Sequence, residues 1–245
     1  MPLPAKAFQR WLHGLAPAAS TADICRISGV KRTTLAQQLV RNKVAEATVV
    51  SISRAFNINP VSALASFDAY RGLSGNPPAP TRQELVSQVS TTDLLRAVLS
   101  RSAADPTGRP ATDPPVLGPA PHSTSVKNWV DAIDDGELRH RVSAATGIAP
   151  QNYSAQLTAN RLTPELAVAT SVAAGVGPTG GLVATGLITE AEAGWAPGAR
   201  EAALDRMSDG ELAALAGDRL QSLGKALRRQ EQDQERTDKI WENLG

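Results

Sequence analysis

The sequence predicts an all-α protein built from two tandem copies of one helical domain, each followed by an accessory helical segment, with a proline-rich linker between the halves. The chain has 245 residues, which is enough for two small domains. Aromatic residues make up only 4% of it, and Ala, Leu and Val supply most of the apolar content, as in small helical domains. Runs that alternate β-branched or aromatic residues with polar ones are missing, so we expect almost no β-strand.

An internal repeat organises the chain. When the sequence is shifted by 118 positions, residues 11–68 align without a gap with residues 129–186, and ten positions are identical. The identities fall on a turn glycine, on a proline that can begin a helix, and on apolar positions with helical spacing, as a structural repeat requires. They pair Trp11 with Trp129, Gly29 with Gly147, Gln38 with Gln156, Leu39 with Leu157, Asn42 with Asn160, Val50 with Val168, Ser53 with Ser171, Ala55 with Ala173, Pro60 with Pro178, and Leu64 with Leu182.

The same shift continues beyond the core repeat. In each half a Ser is followed three residues later by an acid, just before an apolar run, and this pattern is typical of a capping box at a helix start. Each domain is therefore expected to be followed by an accessory helix. The aligned pairs are Val86 and Leu204, Val89 and Met207, Ser90 and Ser208, Asp93 and Glu211, Leu94 and Leu212, and Arg101 and Arg219.

Prolines and charges set the domain boundaries. Residues 74–81 and 104–125 are rich in Pro and should be extended, and the second stretch is interpreted as a flexible linker. In the last segment Leu220, Leu223 and Leu227 share one helix face, but two glutamines after them interrupt the heptad pattern, which argues against a long coiled coil. The assignment is residues 1–73 and 126–190 for the two domains, 82–103 for the first accessory helix, 104–125 for the linker, and 200–245 for a charged C-terminal helical segment.

Composition excludes several classes of protein. Cys25 is the single cysteine, so neither an internal disulfide nor a cysteine-rich zinc site is expected. No apolar run is long enough for a membrane span and no signal peptide is recognised, so we expect a soluble, cytoplasmic protein that does not contact membranes. The three histidines are scattered, and the glycine-rich stretch 175–181 lacks the Lys-Ser or Lys-Thr of a phosphate loop. We therefore expect no catalytic residues, no metal and no cofactor.

The repeat unit has a recognisable order of helices. In the first copy the pattern predicts helices over residues 21–28, 32–40 and 48–56, and the tight turn at Gly29 separates the first two. Asn59 should cap a fourth helix that begins at Pro60. The matching residues Ile24, Gly29, Val30, Leu35 and Leu39 make each half resemble the lambda-repressor-like helix-turn-helix family.

Two details refine this resemblance. The family usually has an apolar residue nine positions after the turn glycine, and here Gln38 and Gln156 occupy that position. The length, the alanine- and proline-rich composition and the tandem build also resemble immunity repressors of temperate phages of actinobacteria. The resemblance implies that the second helix of each copy enters the major groove of double-stranded DNA.

The residues on those second helices have the chemistry for this task. Arg can pair with guanine edges and Gln with adenine, whereas Thr, Lys and Asn suit phosphates. Residues 8–68 hold seven Lys or Arg against three Asp or Glu, whereas residues 126–186 hold four against five. The candidate DNA contacts are Lys31, Arg32, Thr33, Thr34, Gln37, Gln38, Arg41, Asn42 and Lys43 in the first copy, and Gln151, Asn152, Gln156, Asn160 and Arg161 in the second.

The sequence thus favours a sequence-specific transcriptional regulator, a repressor of the phage immunity type, and disfavours an enzyme. Because the two second helices differ, one chain is expected to read an asymmetric operator as a monomer, with the linker reaching about 60 Å. A homodimer through the C-terminal helix is left open. The alternative from another class is a protein-interaction adaptor, or a dimerising repressor, in which the less basic second copy contacts protein and not DNA.

Overall fold

The computed structural model describes residues 3–75, 77–102 and 116–242, with side chains up to residue 237. The expectation of an all-α protein with almost no strand is confirmed, since 67% of the chain is helical and 2% is strand. Residues 103–115, which include most of the predicted linker 104–125, lie outside the described residues.

The helices follow one another in the same order in both halves. The first half contains β1 (Leu3–Pro4), α1 (Ala5–Leu15), α2 (Thr21–Ser28), α3 (Arg32–Val40), β2 (Lys43–Val44), α4 (Glu46–Ala55), α5 (Pro60–Ala65), a 3-10 helix (Asp68–Leu73), α6 (Arg82–Ser87) and α7 (Thr91–Ser102). The second half contains α8 (Ser125–Ile133), α9 (Leu138–Thr146), α10 (Pro150–Thr158), α11 (Pro164–Ala174), α12 (Gly180–Ala184), α13 (Ala199–Asp205) and α14 (Asp209–Glu242).

The chain divides into two compact units. Unit 1 consists of Met1–Gln88 and Pro119–Ala199, and therefore contains the core repeat of both halves. Unit 2 consists of Val89–Gly118 and Arg200–Gly245, which include α7, α13 and α14. The pattern of the sequence gave no indication that the two core repeats belong to the same compact unit.

Local sequence explains the first turns of unit 1. The Ser20 hydroxyl caps α2 by accepting a hydrogen bond from the Asp23 amide at 3.2 Å. Asn59 caps α5 in the predicted way, because its side-chain oxygen accepts from the Val61 amide at 2.7 Å while Pro60 occupies the first turn. The helices predicted over 21–28 and 32–40 have these bounds, whereas the third begins two residues earlier than expected and ends one residue earlier.

A short strand pair was not expected. β1 and β2 pair antiparallel, with Leu3 opposite Val44 and Pro4 opposite Lys43. Both apolar partners are fully buried. The N-terminal residues are thereby attached to the segment that follows α3, which fixes where that helix ends.

The turns of the two halves use the same hydrogen bonds. The Ser28 hydroxyl donates to the carbonyl four residues back and accepts from the amide two residues ahead, and Thr146 makes the same two bonds. The glycines that follow are left-handed in both halves, with φ of 70° at Gly29 and 71° at Gly147. A side chain is strained at such a φ, so glycine is needed at both turns.

The buried positions of the two halves also correspond. Trp129 is completely buried, whereas Trp11 is half-buried and packs its ring against Phe8 and Phe67, at centroid distances of 5.8 Å and 5.9 Å. One hydrophobic core runs through both core repeats. The equivalent buried pairs within this core are Ile24 and Val142, Leu35 and Tyr153, Val44 and Leu162, Val49 and Ala167, and Leu64 and Leu182.

Within unit 1 a bidentate ion pair joins the first core repeat to the segment that follows the second core repeat. Arg54 on α4 donates from Nε and Nη2 to the two carboxylate oxygens of Glu192, at 2.7 Å and 2.8 Å. The Asn59 side chain donates to the Glu192 backbone oxygen at 3.0 Å. The hydrogen bonds from Arg54 are the main reason why the pKa of Glu192 lies below its ordinary value. Two parallel charge-assisted bonds also fix the orientation of the partners.

Helix α6 makes a further contact between the first half and the second half. Thr81 and Glu84 form a complete capping box at its start. Glu84 is nearly fully buried, and its other carboxylate oxygen accepts from the Trp129 indole N–H at 3.3 Å. Behind Trp129 the backbone of α12 comes close at Gly181, where a Cβ would lie 2.6 Å from the Ala167 oxygen. The first half thus contributes a helix to the core of the second.

Unit 2 has its own small core, in which Leu94 on α7 packs with Leu212 and Ala216 on α14. The expected capping pattern is present at both helix starts. The Asp93 amide donates to the Ser90 hydroxyl at 3.1 Å, and the Glu211 amide donates to the Ser208 hydroxyl at 3.2 Å. Arg101 donates to the Met207 and Leu204 backbone oxygens, which ties α7 to the turn before α14.

Gly181→Ala is expected to lower the free energy of unfolding by about 1–3 kcal/mol, because the added methyl group overlaps a backbone oxygen and the Trp129 ring. Gly14→Ala is the matched control. Gly14 is also helical, but nothing lies within 4 Å of its Cβ position, so this change should stabilise the protein by about 0.5–1 kcal/mol. Urea unfolding of the two variants tests the assignment, and equal stabilities would contradict it.

Glu192→Gln is expected to destabilise the protein at neutral pH, because it removes the charge that Arg54 binds. The pKa of Glu192 is lower in the folded chain, so its stabilising effect is present above the unfolded pKa and is lost as the pH falls through the folded pKa. The difference in urea midpoint between wild type and variant should therefore shrink on acidification. Glu201→Gln, at an exposed carboxylate of unit 2, is the control, and its midpoint should follow the wild type.

Candidate nucleic-acid interface

Helix α3 presents a polar face to solvent. Leu35 is fully buried on its inner side, with Gln38 and Leu39 half-buried beside it. At about 100° per residue, the positions opposite to this buried side are Thr33, Gln37 and Val40. These three side chains are exposed, as are Lys31, Arg32, Thr34, Ala36 and Arg41 around them.

The basic side chains around this face are not neutralised within the protein. Lys31, Arg32, Arg41 and Lys43 are exposed and form no ion pair with any residue that the structure describes. Since no carboxylate competes for them, these four cations can bind an external anion, and phosphate groups fit that requirement.

The three acidic residues of the first repeat all interact with residues other than the four cations around α3. The Ser20 hydroxyl and then Arg26 lower the pKa of Asp23. Glu46 is buried and accepts from the Tyr70 hydroxyl at 2.7 Å. Asp68 binds its neighbour Arg71 at 2.5 Å. The surface around α3 is therefore positively charged and lacks free acids among the described residues.

Two of the candidate contacts in the first half serve the fold. The side-chain oxygen of Gln38 accepts from the Ala45 amide at 3.3 Å and from the Thr48 hydroxyl at 2.9 Å. Asn42 has a left-handed backbone, with φ of 54°, and its side-chain oxygen accepts from the Ala5 amide at 3.2 Å. We call these two residues the amide clamp of the first half, because they hold the end of α3 against its neighbours.

The second half has an equivalent amide clamp, formed by Gln156 and Asn160. The side-chain oxygen of Gln156 accepts from the Thr163 amide at 3.3 Å. Asn160 has φ of 50° and accepts from the Lys127 amide in the first turn of α8, at 3.2 Å. Two of the ten identities of the repeat are thus explained by backbone hydrogen bonding. The polar residue nine positions after each turn glycine, Gln38 or Gln156, is therefore part of an amide clamp.

Val40 was not among the sequence candidates, although it lies in the middle of the exposed face of α3. Its side chain is 88% exposed, and the polar or charged residues Gln37 and Arg41 adjoin it. The sequence contained a usable signal, since a valine one turn after Gln37 and two turns after Thr33 lies on a face where the only other apolar residue is the small Ala36. An isolated apolar group there is suited to contact the methyl group of thymine.

The corresponding face of α10 has a different character. Tyr153 is buried and its hydroxyl lies 3.0 Å from the Thr170 hydroxyl. The positions equivalent to the exposed face of α3 hold Gln151, Ala155 and Thr158, which are exposed and uncharged. Asn152 and Arg161 are exposed at the two ends of the helix.

The second half has fewer free cations. Lys127 binds Asp131, and Arg141 binds Asp135 at 3.0 Å while its Nε donates to the Ala173 oxygen. Of its other basic residues, Arg139 and Arg161 form no ion pair with any described residue. Any electrostatic attraction to a polyanion therefore comes mainly from the first half.

The described part of the chain holds no group of three His, Cys, Asp or Glu that could bind a metal ion. Cys25 is a free thiol buried in the core. Within the same residues, every helix is too short or too polar to cross a lipid bilayer. Comparisons with protein-family models, with curated proteins and with solved structures found no match for this chain.

Asn42→Ala is expected to destabilise the protein by about 1–2 kcal/mol, because it removes a hydrogen bond and places a Cβ-bearing residue without polar help at a left-handed φ. Asn42→Gly keeps the backbone freedom and should be tolerated better. Chemical unfolding of both variants decides the role of this residue. If Ala and Gly had no effect on stability, Asn42 would not be part of the amide clamp.

Proposed function

We propose that this protein is a sequence-specific DNA-binding regulator of transcription with two helix-turn-helix domains, residues 1–73 and 126–190. The observation that carries the proposal is the exposed face of α3 with four unneutralised cations around it. In this proposal α2, the left-handed Gly29 and α3 form the first helix-turn-helix, and α3 enters the major groove of double-stranded DNA.

Position along α3 suggests a role for each residue. Arg32 lies in the first turn, from which such helices reach base edges, and its guanidinium can bind guanine with two hydrogen bonds. Thr33 and Gln37 are central on the exposed face and can contact bases directly. Lys31, Thr34, Arg41 and Lys43 lie around this face, where phosphates would pass, so they supply affinity more than sequence information. The amide-clamp residues are left out of the contact set.

Helix α10 is proposed to read the same duplex more weakly. Gln151 and Asn152 begin this helix and can pair with adenine, and Arg161 can bind a phosphate. Because both core repeats lie in unit 1 and share one hydrophobic core, the two helices keep a fixed spacing. One chain would then occupy one asymmetric operator of fixed spacing. Repression, of the phage immunity type, is the regulatory outcome that the family resemblance implies.

A second candidate function is supported by one observation, the uncharged exposed face of α10. A small, neutral surface of Gln151, Ala155 and Thr158 is also compatible with contact to another protein. In that case the second half is an adaptor and only the first half binds DNA. Affinity capture after nuclease treatment distinguishes the two functions, since a protein partner retained without DNA favours the adaptor.

Selection from random duplexes, followed by footprinting of the enriched site, tests the main proposal. We expect one asymmetric protected site with one chain bound per short duplex, and weaker binding when base pairs are inserted in its middle. The exposed changes Gln151→Ala and Asn152→Ala on α10 should weaken protection of one part of the site. Absence of sequence-selective protection at moderate salt would falsify the proposed function.

Arg32→Ala and Lys43→Ala should change DNA binding in different ways. Loss of a bidentate guanine contact should cost about 1–3 kcal/mol and relax base choice at one or two positions. Loss of a phosphate contact at Lys43 should weaken binding evenly across sequences and reduce the salt slope by about one. Titrations over several salt concentrations, on matched and mismatched duplexes, measure both effects. A uniform loss for Arg32→Ala would show that this residue contacts a phosphate.

Val40→Ala should lower affinity for the selected site by roughly fourfold, because one of the two methyl groups that it removes is expected to contact the thymine methyl group, and each buried group contributes about 0.8 kcal/mol. The same loss should follow when the contacted thymine is replaced by uracil, which lacks the methyl group, and the two changes should not add. Val172→Ala is the matched control, because this valine on α11 is 64% exposed and lies outside the proposed face. If every thymine of the site could be replaced without loss, the methyl contact would be disproved.

A further inference from the structure

The first helix of each half lies in a different environment. Helix α6 packs on one side of α8, where Ser125, Asn128 and Trp129 are buried. The shift of 118 positions aligns Asn128 with Arg10 and Trp129 with Trp11. On α1, however, Arg10 is exposed and Trp11 is only half-buried. The side of the helix that is covered in the second half is therefore open to solvent in the first half.

The exposed side of α1 is positively charged. Its exposed residues include Lys6 and Arg10, which share one face because they are four positions apart. Neither cation forms an ion pair with any residue that the structure describes. The sequence of α1 contains no Asp or Glu that could neutralise them. Two free cations thus lie on this helix, about 6 Å apart along its axis at 1.5 Å per residue.

Three other helices of this chain neutralise their exposed cations locally. Arg26, Arg96 and Lys127 each bind an acid three or four residues away on the same helix. Such pairs are typical of a helix face that contacts only solvent. Helix α1 departs from this pattern in the same way as the basic surface around α3, and this favours an external anion as the partner of both.

The cations of α1 continue the basic surface at the end of α3. In the β1–β2 pair, Lys43 lies opposite Pro4, the residue directly before α1. The side-chain oxygen of Asn42 accepts from the Ala5 amide at 3.2 Å, which fixes the start of α1 beside the end of α3. Lys6 is two residues beyond Pro4, so its Cα lies no more than about 13 Å from that of Lys43. These two lysines can therefore bind neighbouring phosphates of one DNA strand.

We propose that α1 is a phosphate-binding flank of the DNA interface, in which Lys6 and Arg10 bind backbone phosphates beside those of Arg41 and Lys43. The inference rests on the proposed function and adds a second helix of the first half to it. Charge selects the occupant, because a DNA strand carries one negative charge per about 3.4 Å of its axis and the charged groups of α1 are all basic. An acidic protein helix also has suitable charge, but the continuity with α3 favours the duplex that α3 enters.

This flank gives the protein a polarity on the duplex. Phosphate contacts carry no base information, but they set the register and the orientation of the protein. At the equivalent positions of the second half, Thr124 is neutral and Asn128 is buried, with its amide donating to the Thr124 hydroxyl at 2.8 Å. On the same helix Lys127 already binds Asp131. The contact with DNA should therefore extend beyond the second helix only in the first half.

Removal of each charge in the full chain tests the flank. Lys6→Gln and Arg10→Gln keep a residue with good helix propensity, so urea unfolding should give wild-type stability. On the duplex that the wild type selects, each change should weaken binding roughly eightfold at about 0.1 M salt and reduce the salt slope by about one. The loss should be equal on mismatched duplexes. Lys225→Gln is the matched control, because it removes an exposed cation of α14 that has no ion pair among the described residues. It should bind DNA like the wild type.

Neutral methylphosphonates, placed one at a time in the selected duplex, locate the phosphates that α1 binds. Neutralisation of a phosphate bound by Lys6 should weaken the Lys6→Gln variant less than the wild type, so that the two losses do not add. We expect the phosphate coupled to Lys6 to be next to the one coupled to Lys43. The phosphate coupled to Arg10 should lie on the same side of the site.

Wild-type affinity and salt slope in both α1 variants would overturn this inference, and that result would also be expected if α1 bound an acidic protein helix instead. An equal loss for Lys225→Gln would show a general effect of net charge and would overturn it as well. So would coupling of Lys6 and Lys43 to phosphates on opposite sides of the site. In each of these cases the proposed function stands, because selective protection of DNA by the wild type tests it separately. Absence of selective binding by the wild type would contradict both.

Discussion

The placement of α3 and α10 depends on the amide clamps at their C-terminal ends. A helix end leaves backbone groups without intrahelical partners, and the chain must turn sharply to reach the next helix. Asn42 and Asn160 supply both requirements, because asparagine tolerates a left-handed backbone and its side chain accepts from an amide in the first turn of α1 or α8. Each clamp thereby connects the end of one helix to the start of another that is distant in sequence, so the exposed face of α3 or α10 is held in a fixed direction.

The residues that are identical in the two copies therefore serve mainly to hold the backbone of the fold. Gly29 and Gly147 share a left-handed φ, and Gln38 and Gln156 share a hydrogen bond to the backbone seven residues ahead. On the exposed faces, by contrast, the two halves have diverged. A repeated fold constrains the residues that satisfy buried or strained backbone, and it leaves solvent-facing residues free to differ. Different exposed faces on one scaffold are compatible with the asymmetric operator of the proposed function.

Because both core repeats belong to one compact unit, they differ from two domains on a flexible tether. Flexibly tethered domains gain affinity through effective concentration, and their binding tolerates variable spacing. Here a shared core, the buried carboxylate of Glu84 against Trp129, and the Arg54–Glu192 ion pair hold the core repeats together. In the proposed function, less conformational entropy would be lost on DNA binding, and the spacing of the two helices would become part of specificity.

Sequence alone determined the helical class, the repeat, several helix bounds and the caps at Ser90, Ser208 and Asn59, because these depend on local backbone chemistry and on periodic burial. It also located the exposed basic cluster around α3. Only the tertiary structure decided which polar residues are structural, because a glutamine on a helix has the same local pattern whether its amide meets solvent or a backbone amide of the next segment. It likewise placed both core repeats in one unit, since contacts such as Arg54 with Glu192 join residues far apart in sequence and leave no periodic trace.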